Sequence, residues 1–135
     1  MSQDNDLFAD AAHQLLAGEC TPAVVRAIEA GGWAADAAQA LWAQLEATGL
    51  ADALLGEAEG GAGLALSQVF GVLEQCGAHA LPLPLGETML ARALLAQAGV
   101  ARPAGAITLA TGERTDGGGL RCALLRGGAV AGSVL

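Results

Sequence analysis

Four groups of residues carry types and spacings that could do chemistry. Cys76 and His79 stand three apart. A cysteine and a histidine at that spacing can form half of a metal site or a thiolate–imidazole nucleophile. A metal needs further donors, of which only His13 and scattered acids remain, and a nucleophile needs a third group to orient the base. Glu57 and Glu59 form the second group, a carboxylate pair of the kind used in acid–base catalysis. They lie in a polar, glycine-rich stretch, where solvated surface charge is the plainer role. Glu74 forms the third, on the polar side of an apolar helical stripe, where capping or solvation accounts for it. The fourth is Gly61-Ala62-Gly63. A dinucleotide cradle requires a strand before it and a third glycine three residues on, and here a helical pattern precedes and Leu66 takes the third place. The better reading is a turn whose glycines let two helices reverse and pack closely.

The composition limits what such groups could serve. The chain has 135 residues, a single-domain size, and is 53% hydrophobic with 3% aromatic residues. Much of the apolar content is alanine and leucine, which favour helix. Six arginines and no lysine face fourteen acidic residues, for a formal net charge of -8. That balance excludes recognition of nucleic-acid backbones and of anionic membranes, which call for a basic surface. Cys20, Cys76 and Cys122 are widely separated and make no zinc pattern, so they read as free thiols in a reducing compartment. The polar, acidic residues 1–6 lack the features of a secretory signal, and no apolar run is long enough to span a membrane. A cytoplasmic location is the expectation.

The elements that must position these residues read as follows. Asp4 or Asp6 caps a first helix with Leu7, Phe8, Ala11, Ala12, Leu15 and Leu16 inward, and Gly18 ends it. Thr21-Pro22 opens a second helix, with Val24, Val25 and Ile28 as its apolar face and Gly31-Gly32 as its stop. Asp36 and Gln39 have the spacing of a capping box. The helix they open carries Leu41, Trp42 and Leu45 and closes at Gly49, with Trp33 as a lid on Ala40 or Leu41. Residues 65–75 form a third long helix with Leu66, Val69, Phe70 and Leu73 inward, ended by Gly77. Residues 81–85 are extended, since proline drives its predecessor out of the helical region. A helix over residues 87–98 follows, with Leu90, Leu94 and Leu95 inward and Gly99 at its end. Arg92 on this helix is expected to pair with Glu87 at the surface. Trp33 and Trp42 read as core or interface anchors. Beyond Gly99, the runs 106–110, 120–125 and 129–135 are short, apolar and separated by Gly/Asp-rich turns, so they read as strands. Residues 102–105 mark a domain boundary. Three strands cannot bury a sheet alone, and the last run carries no polar tail. The expectation is a helical domain, residues 1–101, followed by the opening strands of an incomplete β domain, residues 102–135.

Several motifs in order resemble the N-terminal part of the acyl-CoA dehydrogenases. Leu41-Trp42-x-x-Leu45-x-x-x-Gly49-Leu50 is similar to that family's W-x-x-L-x-x-x-G-L helix end. Glu57-x-x-Gly60-Gly61-x-Gly63 is similar to its P-E-x-x-G-G-x-G connection, with Gly56 in place of the proline and Glu59 where an aromatic is common. Leu73-Glu74-Gln75-Cys76-Gly77 resembles L-E-E-L-G, with Gln75 replacing an acid. The proline-rich residues 81–85 and the helix after them resemble a subgroup with P-x-P and T-x-x-x-x-x-L-L-x-x-G. The resemblance spans residues 36–99. It implies a mainly α fold, the N-terminal helical domain of an acyl-CoA dehydrogenase-like protein, followed by a few strands of the middle β domain. It implies FAD as cofactor, an acyl-CoA substrate that loses an α-proton to a glutamate base and a β-hydride to the flavin, and electron-transfer flavoprotein as electron acceptor. It also implies a homo- or hetero-oligomer working in fatty acid or lipid catabolism. The base and most flavin contacts would lie outside residues 1–135, so this chain alone is not expected to be active. By position, residues 83–92 would shape the far wall of the acyl pocket, with Leu83, Leu85, Thr88 and Met89 as substrate-binding residues. An alternative is a non-catalytic subunit or scaffold of a heteromeric complex of that kind.

Overall fold

The computed structural model describes residues 2–135, with side chains from residue 7 onward. Five α-helices are followed by four two-residue strands: α1 (Ser2–Glu19), α2 (Pro22–Gly31), α3 (Asp36–Ala47), α4 (Phe70–Ala78), α5 (Leu85–Gln97), β1 (Ile107–Thr108), β2 (Glu113–Arg114), β3 (Leu120–Arg121) and β4 (Ser133–Val134). The chain is thus mainly helical. No described helix is long and apolar enough to cross a membrane.

Local chemistry accounts for most boundaries. Thr21 accepts a hydrogen bond from Val24 N at 3.4 Å ahead of the α2 proline, and Ile28 is the buried residue of its apolar face. Gly32 (φ 65°) and Gly49 (φ 78°) take the left-handed region that side chains avoid. Other expectations fail for identifiable reasons. Asp4 and Asp6 lie inside α1, and their side chains fall outside the described residues. Leu7 is 65% exposed and Ala11 is exposed, whereas Ala12 and Leu16 are fully buried. Gly18 is not a stop, since α1 runs through it to Glu19. The Asp36 capping box does not form. Ala35 is the N-cap of α3, Asp36 sits in the first turn beside the positive helix end, and Gln39 Nε2 reaches further back to the Trp33 carbonyl at 2.6 Å.

The third long helix starts late. Residues Leu66–Val69 form a 3-10 turn, and α4 runs from Phe70 to Ala78, through Gly77. A 3-10 turn has about three residues per turn rather than 3.6, which rotates the inward face. Val69 and Val72 therefore face the core, while Leu66 and Phe70 are more than half exposed. The left-handed residue after α4 is Ala80 (φ 50°), not Gly77.

The core joins all five helices and the connection between α3 and α4. The strand segment docks on it. β1 pairs in parallel with β4, and β2 pairs antiparallel with β3. Ala106, Ile107 and Thr108 have no exposed surface. Trp33 does not lie over Ala40 or Leu41 as a simple lid. It meets Trp42 edge-on, with ring centroids 5.9 Å apart, and abuts the backbones of Gly105 and Gly132, where a Cβ would come within 2.9 Å of its ring.

Candidate functional site

The residues proposed from sequence as an acyl-pocket wall lie on α5 and the extended segment before it. Leu83, Leu85, Thr88 and Met89 are all buried, at 4%, 1%, 0% and 1% exposure. The inward face of α5 is Leu85, Thr88, Met89 and Arg92, an i, i+3, i+4, i+7 stripe with two polar members. Leu90 and Leu94, expected inward, are 36% and 46% exposed. Apolar spacing misses this face because its polar residues find partners within the fold.

The polar residues at the start and middle of α5 tie it to other parts of the chain, Thr88 and Glu87 to β1 and Arg92 to α3 and the turn after it. Thr88 Oγ1 lies 2.7 Å from the Pro84 carbonyl and 3.1 Å from that of Ile107, and accepts from Ile107 N at 2.9 Å. Its hydroxyl is thereby fully engaged. Glu87 does not pair with Arg92. Its carboxylate accepts from the Thr108 hydroxyl and from Leu109 N at 2.7 Å. These bonds fix β1 along α5.

Arg92 turns inward and is 6% exposed. Its Nη1 donates to Glu46 Oε2 at 3.0 Å and to Asp52 Oδ1 at 2.8 Å. Its Nη2 donates to Glu46 Oε1 and, at 3.3 Å, to the Gly105 carbonyl. Trp42 Nε1 donates to Glu46 Oε1 at 3.0 Å. The two-pronged guanidinium thus ties α3, the turn after it, α5 and the approach to β1 together. Burial alone would push the guanidinium pKa down, but Glu46 and Asp52 outweigh it and raise it above its ordinary value. The Arg92 hydrogen bonds in turn hold the Glu46 carboxyl below its ordinary value, against partial burial.

Two open clefts border α5. One, of about 430 Å³, has Glu87, Thr111 and Arg126 as its polar lining, and the other, of about 200 Å³, lies between Leu54, Glu59 and Ala93. None of the four buried wall candidates lines either. Glu57 and Glu59 are exposed, and Glu59 pairs with Arg102 at 3.0 Å, a surface pair of the kind worth about 0–1 kcal/mol. Glu74 is exposed.

Cys76 and His79 do not act on one another, and no hydrogen bond joins them among the described residues. The His79 ring meets His13 instead, with 3.3 Å between His79 Nε2 and His13 Nδ1. Cys20 Sγ donates to the His79 carbonyl at 3.6 Å. Burial pushes the Cys76 thiol up to about 11 and raises that of Cys20 as well. Thiolate is the reactive form, so both are poor nucleophiles in the folded chain. Alkylation at neutral pH, followed by mass spectrometry, is expected to modify exposed Cys122 first. Cys20 and Cys76 should react only on a much slower timescale, until urea unfolds the chain. Rapid modification of Cys76 in the native protein would contradict this burial.

Among the described residues no three His, Cys, Asp or Glu side chains gather as metal ligands. In comparisons with known proteins, no family model, no curated protein and no solved structure matches the chain.

Proposed function

We propose that the chain forms the N-terminal helical region of a flavin-dependent acyl-CoA dehydrogenase, in which α5 and the segment before it build part of the acyl-pocket wall. The observation that carries this reading is the backbone of the glycine-rich connection. Gly56 stands where the resembling motif has proline, yet its φ of -62° and ψ of 157° are the values proline adopts. Gly60 (φ 86°) and Gly63 (φ 66°) are left-handed. Gly61 has no room for a Cβ, which would sit 2.4 Å from the Asp52 carbonyl oxygen. Each glycine of the G-G-x-G spacing therefore meets a backbone requirement.

In this reading the chain's own residues are not the flavin's main holders. Arg92, its most buried cation, is committed to Glu46 and Asp52 rather than free to meet a phosphate. In this reading FAD and the glutamate base belong to other regions of the protein, and no catalytic step falls to residues 1–135. Leu83, Leu85, Met89 and the engaged Thr88 back the wall from behind, fixing the position of α5. Electrons would leave through electron-transfer flavoprotein.

A second reading, a non-catalytic subunit of a heteromeric complex of this kind, draws on the exposed apolar side chains Leu7, Leu66, Phe70, Leu120 and Leu124, each more than half exposed. One preparation separates the two. The product of the complete reading frame is purified and scanned for visible flavin absorbance, with and without added FAD. The first reading expects a yellow protein that is bleached by its acyl-CoA substrate. A colourless protein that takes up no FAD overturns it, and if that protein also co-purifies in equal amount with a flavoprotein, the second reading stands.

A further inference from the structure

We propose that His13 of α1 and His79, the residue that caps α4, form a zinc site bridging the two helices. His13 Nδ1 and His79 Nε2 face one another at 3.3 Å, and the rings are tilted by 50° with centroids 5.3 Å apart, so they converge through their nitrogens rather than stack. Gln75 Oε1 lies 3.0 Å from the same His13 nitrogen.

Proton counting limits how the pair can be satisfied without a metal. Only one hydrogen fits between two facing imidazole nitrogens, and His13 Nδ1 already has the Gln75 amide as a second neighbour. If Nδ1 donates to Gln75, the His79 lone pair is left facing an N–H aimed mostly elsewhere. A cation between the rings would use both lone pairs. The separation also selects among cations. Zinc–nitrogen bonds of about 2.0–2.1 Å at a tetrahedral angle place two nitrogens about 3.3–3.4 Å apart. Adjacent corners of a square plane at similar bond lengths bring them to about 2.9 Å, which disfavours copper(II) geometry. The Gln75 carbonyl can supply a third donor. His13 is exposed and His79 half-buried, so water can reach the remaining position. Two imidazoles and an amide fall short of the four protein ligands of a structural zinc centre. The sulfur of Cys76, next to Gln75 on α4, takes no part.

Zinc(II) titrated into the protein by calorimetry in a non-coordinating buffer at neutral pH tests the site. One ion per chain is expected, together with a rise in Tm, because a ligand held by α1 and α4 binds only the folded state. His13→Ala and His79→Ala each should weaken binding at least tenfold and abolish the Tm rise, while Cys76→Ser leaves both unchanged. The two histidines are at the surface, and circular dichroism of each variant checks that it remains folded. Absence of binding to the wild-type chain overturns the proposal. So does binding that survives in the double histidine variant, or that disappears in Cys76→Ser or Cys122→Ser.

Discussion

Arg92→Ala is expected to destabilise the protein by about 2–3 kcal/mol in urea unfolding. Removing one member of a fully buried charge pair costs about 3–5 kcal/mol, because the other charge is left without a partner or water. Here the Glu46 and Asp52 side chains are 33% and 36% exposed, so they recover part of their hydration and the expected loss is smaller. Arg92→Lys should lose less, since it keeps the charge and gives up the fork that reaches Glu46, Asp52 and the Gly105 carbonyl together. Trp42 offers an intrinsic probe, because its indole N–H donates to the same carboxylate. The double variant Arg92→Ala/Glu46→Ala should be clearly less unstable than the sum of the single changes. The pH dependence has a defined sign. Glu46 titrates below its ordinary 4.5 when folded, so its contribution is complete above that value and is lost as pH falls through the depressed folded value. The gap between wild type and Arg92→Ala should therefore narrow in acid. A loss under about 0.5 kcal/mol for Arg92→Ala at neutral pH would reduce the cluster to an ordinary surface pair.

Gly61→Ala should produce a comparable loss, about 3 kcal/mol, at the upper end of the usual cost of overpacking. The added methyl would lie 2.3 Å from the Leu55 carbonyl oxygen, 2.4 Å from that of Asp52 and 2.4 Å from Leu55 Cβ. Carbonyls of a packed turn cannot rotate aside as a side-chain tip can. The turn is also held by its own bonds, Gly63 N to Leu55 O at 2.7 Å and Leu64 N to Ala53 O at 3.0 Å. Gly56 supplies the contrast within the same loop. Its surroundings are open and its backbone already suits proline, so Gly56→Pro should stabilise by about 0.4–1 kcal/mol through the unfolded chain. Urea midpoints of the two variants moving in opposite directions would bear out the turn. A wild-type midpoint for Gly61→Ala would refute it.

These two sites mark where sequence reasoning succeeds and where it stops. The glycine turn was legible because its requirements are local, as were the Thr21 cap, the Val24, Val25 and Ile28 face, and the stops at Gly49 and Gly99. The inward face of α5 was not. Leu90 and Leu94 read as core and Arg92 as a surface partner of Glu87, because hydrophobic spacing assigns charged residues to water. What reverses that assignment is a pair of carboxylates 46 and 40 residues earlier, whose proximity follows only from tertiary packing. A trace was present in retrospect. Thr88 and Arg92 share a face with Leu85 and Met89, an unbroken helical stripe once the polar pair is allowed inside. The phase of α4 was hidden differently, since nothing in Leu66-Ser67-Gln68-Val69 announces a 3-10 turn.

The same long reach gives the Arg92 cluster a place in time. Helices form in about a microsecond or less from local contacts, but this guanidinium meets its partners only after α3, the turn beyond it and α5 have been brought together. Because loops of 40 and 46 residues must close first, it is expected to form late in assembly. Contacts absent from the folding transition state govern how fast the native chain escapes rather than how fast it is reached. A cluster formed that late is expected to act as a brake on unfolding, prolonging the life of the folded chain without hastening its birth.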